Sequence, residues 1–131
     1  MKSYADYLKE LPDRTCEIEV DLVGSVTKFP FKGTFRCRVP NVQDYIQADK
    51  KRAALNGGVP EEELDETIAR TTQMLSYLSV VLEDAPNWWK KDLKNGIDCL
   101  DTNLIIILYE DVKAFELSWK QKVWGNAETE D

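Results

Sequence analysis

The sequence predicts an α+β domain in which an antiparallel β-hairpin packs against two or three long α-helices. Residues 16–39 alternate apolar and charged side chains with period two, the mark of half-buried antiparallel strands. From Asn41 onward apolar residues recur at intervals of three and four, as in helices that bury one face. A length of 131 residues with 43% hydrophobic side chains suits one core and leaves no room for two ordinary domains. The domain is expected over residues 1–125, followed by an acidic tail over 126–131.

Tyr4, Tyr7, Leu8 and Leu11 predict a short amphipathic helix ended by Pro12 and dependent on packing. Cys16, Ile18, Val20 and Leu22 then alternate with Glu17, Glu19 and Asp21, and Gly24-Ser25 supplies a turn. In the next strand Phe31, Phe35, Cys37 and Val39 share one side, with Lys32, Arg36 and Arg38 on the other. An acidic outer face beside a basic one favours pairing, and Pro30 marks the strand's entry. The hairpin, about 16–39, brings Cys16 and Cys37 to one face. Its two open edges favour self-association.

Val42, Tyr45, Ile46, Asp49 and Ala53 define the inner face of a helix over about 41–56, closed by Asn56-Gly57-Gly58. A second helix, about 60–85, opens at Pro60 with Glu61, Glu62, Glu63, Asp65 and Glu66, acids that its N-terminus favours. Leu64, Ile68, Thr71, Leu75, Leu78 and Leu82 form its seam, and Ala85-Pro86 ends it. A last helix, about 102–124, is capped by Asp101 or Thr102. It buries Leu104, Ile105, Leu108, Val112, Phe115 and Trp119.

Chemistry is bounded by what the chain lacks. Without histidine, every Ser-His, Cys-His and His-metal arrangement is excluded. Three cysteines without C-x-x-C spacing indicate neither a zinc ribbon nor a disulfide scaffold, and read as buried free thiols. Asp92, Asp98 and Asp101 suit helix capping better than metal binding, and Gly57-Gly58 suits a helix end better than a phosphate loop. Lys28, Lys32, Arg36 and Arg38 interleave with Phe29, Phe31 and Phe35 in the manner of a nucleic-acid stacking sheet. A net charge of −7 opposes that reading, and the aromatics are more simply core. No catalytic residue, cofactor, metal ligand set or nucleic-acid partner is predicted, so the chain reads as non-enzymatic.

Residues 1–58 carry 10 basic and 8 acidic side chains, residues 59–131 carry 7 and 16, so the molecule has unlike faces. The first residues lack an apolar run, and the apolar run 104–109 is too short to span a bilayer. The expectation is a soluble, reduced, intracellular protein with no membrane partner.

The loop 87–96 holds tandem tryptophans followed by Lys90 and Lys91. Adjacent side chains diverge around a turn, so one indole fills a helix junction while the other stays near the surface. A surface tryptophan beside a lysine suits a protein contact. Trp88, Trp89 and Lys90 are accordingly the predicted protein-binding residues.

Phe29-Pro30-Phe31-Lys32-Gly33-Thr34-Phe35 is followed by a helix ending in Ala54-Leu55-Asn56-Gly57-Gly58. Then come Glu83-Asp84-Ala85-Pro86-Asn87-Trp88-Trp89, Asn95-Gly96-Ile97-Asp98-Cys99-Leu100-Asp101-Thr102-Asn103-Leu104, and a helix containing Ile107-Leu108-Tyr109-Glu110. In this order, over roughly 29–115, the chain resembles small morphogenesis proteins of tailed bacteriophages, the tail assembly chaperones. The most specific parts are Ala-Pro-x-Trp-Trp and the Asp-x-Asn-Leu helix start. The resemblance implies a non-enzymatic late protein in the host cytoplasm that binds the tape measure protein and helps recruit tail tube subunits. Two alternatives stand beside it: a structural virion accessory at the head or connector, and a phage protein that binds or is sensed by a host protein.

Overall fold

The structure, a computed structural model, describes residues 1–129, with side chains to Gly125. The fold is α+β. Its elements are α1 (Tyr4–Lys9), β1 (Thr15–Val23), β2 (Pro30–Arg38), α2 (Val42–Leu55), a 3-10 turn (Glu61–Glu63), α3 (Glu66–Val81), β3 (Leu82–Asp84), a π turn (Trp88–Asp92) and α4 (Thr102–Thr129). The three strands form one antiparallel sheet in the order β1-β2-β3.

The hairpin keeps one register from Thr15↔Arg38 to Val23↔Pro30. It sets Glu17 opposite Arg36, Asp21 opposite Lys32 and Cys16 opposite Cys37. The inner face supplies Val20, Phe31, Phe35 and Cys37 to the core, where they meet Leu78 and Val81 of α3, Leu104, Leu108 and Val112 of α4, and Trp89.

The predicted helix over 60–85 is divided into three pieces. Asp65 accepts the Thr67 N–H at 2.8 Å, which starts α3 only there. At its far end the helix stops at Val81 and Leu82 is already extended; Pro86, which lacks an N–H and whose ring would clash with the carbonyl four residues back, could not have continued it. Leu82–Asp84 consequently pair with Arg36 and Cys37 as a third strand. Ile68, assigned to the seam, is exposed, while Met74 through Leu78 are buried on every side of the helix.

The setting of α2 is also corrected. Val42, Tyr45 and Ile46, predicted to face inward, point to solvent. The face that packs carries Asp44, Ala48, Arg52 and Leu55. Its rotation is fixed by an ionic latch: Arg38 contacts the Asp44 carboxylate at 2.7 Å and donates to the Val80 carbonyl at 2.8 Å. Asp44 also accepts the Asn41 N–H at 3.0 Å, closing a capping box. Here a buried charge with several partners outweighs a weak apolar stripe.

The Arg38 guanidinium holds the Asp44 carboxyl below its usual range, with burial opposing. Glu116 is likewise lowered: burial pushes it up, but the Tyr77 hydroxyl at 2.8 Å and the Lys113 and Lys120 ammonium groups outweigh that. Carboxyls lowered in the folded state stabilise it above their unfolded pKa, and that contribution is lost as pH falls through the folded value. Thermal stability is therefore expected to hold above about pH 4.5 and to drop steeply below about pH 4. Asp44→Asn should flatten the acid limb while lowering stability at neutral pH, as a pH series of melting curves would show. A limb unchanged by the substitution would remove Asp44 from it.

The short α1 buries none of its own residues. Trp119 anchors the segment behind it, its indole N–H donating to the Pro12 carbonyl at 3.0 Å. Helix α4 continues past the predicted end to Thr129, which takes in most of the expected tail, and Glu130 and Asp131 lie outside the described residues.

The edges of the sheet differ from expectation. Gly24 donates to the Phe29 carbonyl at 2.9 Å and Val39 to that of Arg14 at 2.8 Å. This parity turns the backbone groups of Glu17, Glu19 and Asp21 away from β2, toward the open edge. Two copies pairing there would set these acids against one another, which is unfavourable. The far edge of β2 is covered by β3 and, farther along, by the Trp88 indole, which donates to the Lys32 carbonyl at 3.0 Å. One of the two edges expected to be open is thus closed.

Candidate functional site

Three segments meet at one corner, one from the hairpin and two neighbouring ones from the loop that leads into α4. The first is the hairpin turn, held by Asp101, whose carboxylate accepts the Val26 and Thr27 N–H groups at 2.7 and 2.8 Å and the Thr27 hydroxyl at 2.6 Å. Burial pushes this carboxyl up, yet these bonds and Lys28 together hold it below its usual range. A Cβ on Gly24 would overlap the carboxylate, so glycine is what admits Asp101. Asp101 thus serves the hairpin turn rather than capping α4 with its side chain.

The second segment is the Pro86–Asp92 crossing. Phe31, Gly33 and Phe35 share the inner face of β2, and the missing side chain of Gly33 makes room for Pro86. Trp88 lies over that gap, 5.1 Å from Phe31 and 5.6 Å from Phe35 between ring centres. The wider π turn separates the adjacent indoles, with Leu93 N–H closing on the Trp88 carbonyl at 3.0 Å. The third segment, Asp98–Asp101, completes the corner.

Together they enclose a pocket of about 260 Å³ walled by Phe29, Phe31, Trp88, Leu93 and Leu100, with Thr27, Asp92, Asp98 and Asp101 at its polar margin. A larger cleft of about 680 Å³ lies between α2, α3, β3 and the π turn. Leu55, Leu75, Leu78 and Trp89 floor it, and Lys50, Lys51, Lys90 and Lys94 rim it. Lys90 is paired with Asp84 at 3.4 Å and Lys94 with Asp98 at 3.2 Å.

The predicted contact residues therefore part company. Trp88 is half-buried and walls the aromatic pocket. Trp89 is 2% exposed, its ring edge-on to Phe35 at 5.5 Å, and its assignment as a contact residue is corrected to that of a core residue. Lys90 is exposed but belongs to the other depression. Leu100 carries no binding expectation from the sequence, while Phe29 enters there only in the disfavoured nucleic-acid reading and Asp92 only in the disfavoured metal reading.

Other reactive groups are engaged. Burial pushes the Cys37 thiol up to about 12, and Cys99 is raised for the same reason. Tyr77 donates to Glu116 and is itself raised, first by burial and then by that carboxylate. Its phenol therefore stabilises the fold below pH 10, with the contribution lost as pH rises above that. Tyr77→Phe should flatten the alkaline limb of the same melting series, and a limb identical in both proteins would contradict this. Among the described residues no three His, Cys, Asp or Glu side chains gather to hold a metal ion. Nor is any described helix long and apolar enough to cross a membrane. Comparison with models of known protein families, with curated proteins and with solved structures finds no match.

Proposed function

We propose that this protein is a non-enzymatic assembly factor of the tail-chaperone kind. In this reading it acts in the host cytoplasm and holds the tape measure or tail tube protein of a tailed bacteriophage through its aromatic corner. One observation supports the reading above the others: three of the five segments that carry the resemblance border a single surface pocket. Phe29 and Phe31 come from the first, Trp88 from the second, and Asp98, Leu100 and Asp101 from the third. Leu100 is 67% exposed and Phe29 48%, so the corner offers apolar surface to a partner.

The test is recovery of the tagged protein from infected cells together with mass spectrometry of finished particles. A chaperone co-purifies with the tape measure or tail tube protein and is missing from the virion. Stoichiometric presence in purified particles would replace this reading with that of a structural accessory. Full-length tails in a virus lacking the gene would overturn it. Leu100→Ser and Phe29→Ala, both at exposed positions, are expected to change stability by less than about 1 kcal/mol and to reduce tail-protein capture severalfold. Undiminished capture by both variants would place the contact elsewhere.

A further inference from the structure

We infer that the aromatic pocket takes an arginine side chain of a partner protein. This rests on the reading of that corner as a protein contact. Phe29 and Phe31 meet edge to face at 5.0 Å, and Trp88 tilts against Phe31 at 5.1 Å, so three rings wall one small cavity. Aromatic faces attract cations, and a guanidinium, planar and weakly hydrated, stacks on them better than an ammonium.

The charges at the margin fit the same ligand. Asp101 is occupied by the hairpin turn and influenced by Lys28, and Asp98 is paired with Lys94. The Asp92 side chain makes no hydrogen bond or ion pair among the described residues, leaving one unspent carboxylate beside the rings. No lysine or arginine lines the pocket. An apolar side chain would fill the cavity without drawing on the Asp92 charge, and an acidic one would be repelled. A guanidinium suits both the walls and the margin.

The test uses the whole protein and three small probes: the N-acetyl, N-methylamide derivatives of arginine, lysine and citrulline. Citrulline keeps the shape of arginine and lacks its charge. The readout is the Trp88 indole N–H resonance, assigned with Trp88→Phe, during titration. The arginine probe should shift it saturably, with the lysine probe weaker and the citrulline probe about fivefold or more weaker. Asp92→Asn, at an exposed position, should bring arginine down toward the citrulline affinity and leave citrulline unchanged. Equal binding of citrulline, tighter binding of lysine, or no saturable shift with arginine would overturn the inference. Any of these alongside capture of tail protein through Leu100 would leave the contact surface intact and remove only its arginine preference. Arginine binding without capture of any tail protein would uphold the pocket's chemistry and remove the phage reading.

Discussion

Trp89→Ala is expected to cost about 3–5 kcal/mol, the range for deleting a large aromatic from a packed core. The indole is 2% exposed and stands edge-on to Phe35 at 5.5 Å. Gly96, at a φ of 95°, passes so close that a Cβ there would lie 2.9 Å from the Trp89 ring and 2.7 Å from Leu75. Little backbone can collapse into the space the indole leaves, so the cavity term remains. For a domain whose total stability is about 5–15 kcal/mol, such a loss leaves the variant partly unfolded under mild conditions. Urea titration followed by circular dichroism checks this. A loss below about 1 kcal/mol would mean that Trp89 is not the core residue its burial indicates.

Gly24→Ala carries the second large effect, about 2–3 kcal/mol from overpacking. The added methyl would occupy the position of the Asp101 carboxylate, and that group cannot swing aside freely because two N–H groups and a hydroxyl hold it. Displacing it would release the turn that positions Phe29 and the pocket. Calorimetry of the single and double variants separates these causes. In an Asp101→Ala background the alanine at 24 should cost much less, since contacting residues are not additive. Equal cost in both backgrounds would show that the strain arises elsewhere.

How far this fold can be read in the sequence depends on which force decides each element. The hairpin was legible because its inner face is uniformly apolar and its outer face carries complementary charge, so period and pairing agree. Helix α4 was legible for the same reason: Leu104, Ile105, Leu108 and Val112 keep the helical period and are buried. Helix α2 was misread because its apolar stripe is real but does not set its orientation. One arginine from β2 turns Asp44 inward, and a charge pair between elements leaves no periodic trace. The strand β3 was hidden for a related reason. Leu82-Glu83-Asp84 is three residues long, and what defines it is a neighbour at Arg36 and Cys37 rather than its own pattern.

The aromatic corner was half legible. The tandem tryptophans stood out, and divergence around a turn does place one inside and the other at the surface. Which is which depends on Gly33, whose missing side chain admits Pro86 and seats Trp88 at the sheet edge. Leu100 and Phe29 gave no signal individually, being single apolar residues in loops and turns. Their role follows only from the meeting of the hairpin with the loop that leads into α4.

The proposed function has this corner hold a tail protein. A photo-crosslinking residue placed at Leu100, on the pocket wall, tests it most directly, with Ile68 on the exposed side of α3 as the control position. Irradiation of infected cells is predicted to join the variant at 100 to the tape measure or tail tube protein and to give no such adduct at 68. Adducts at 68 but not at 100, or equal yields at both, would contradict the account.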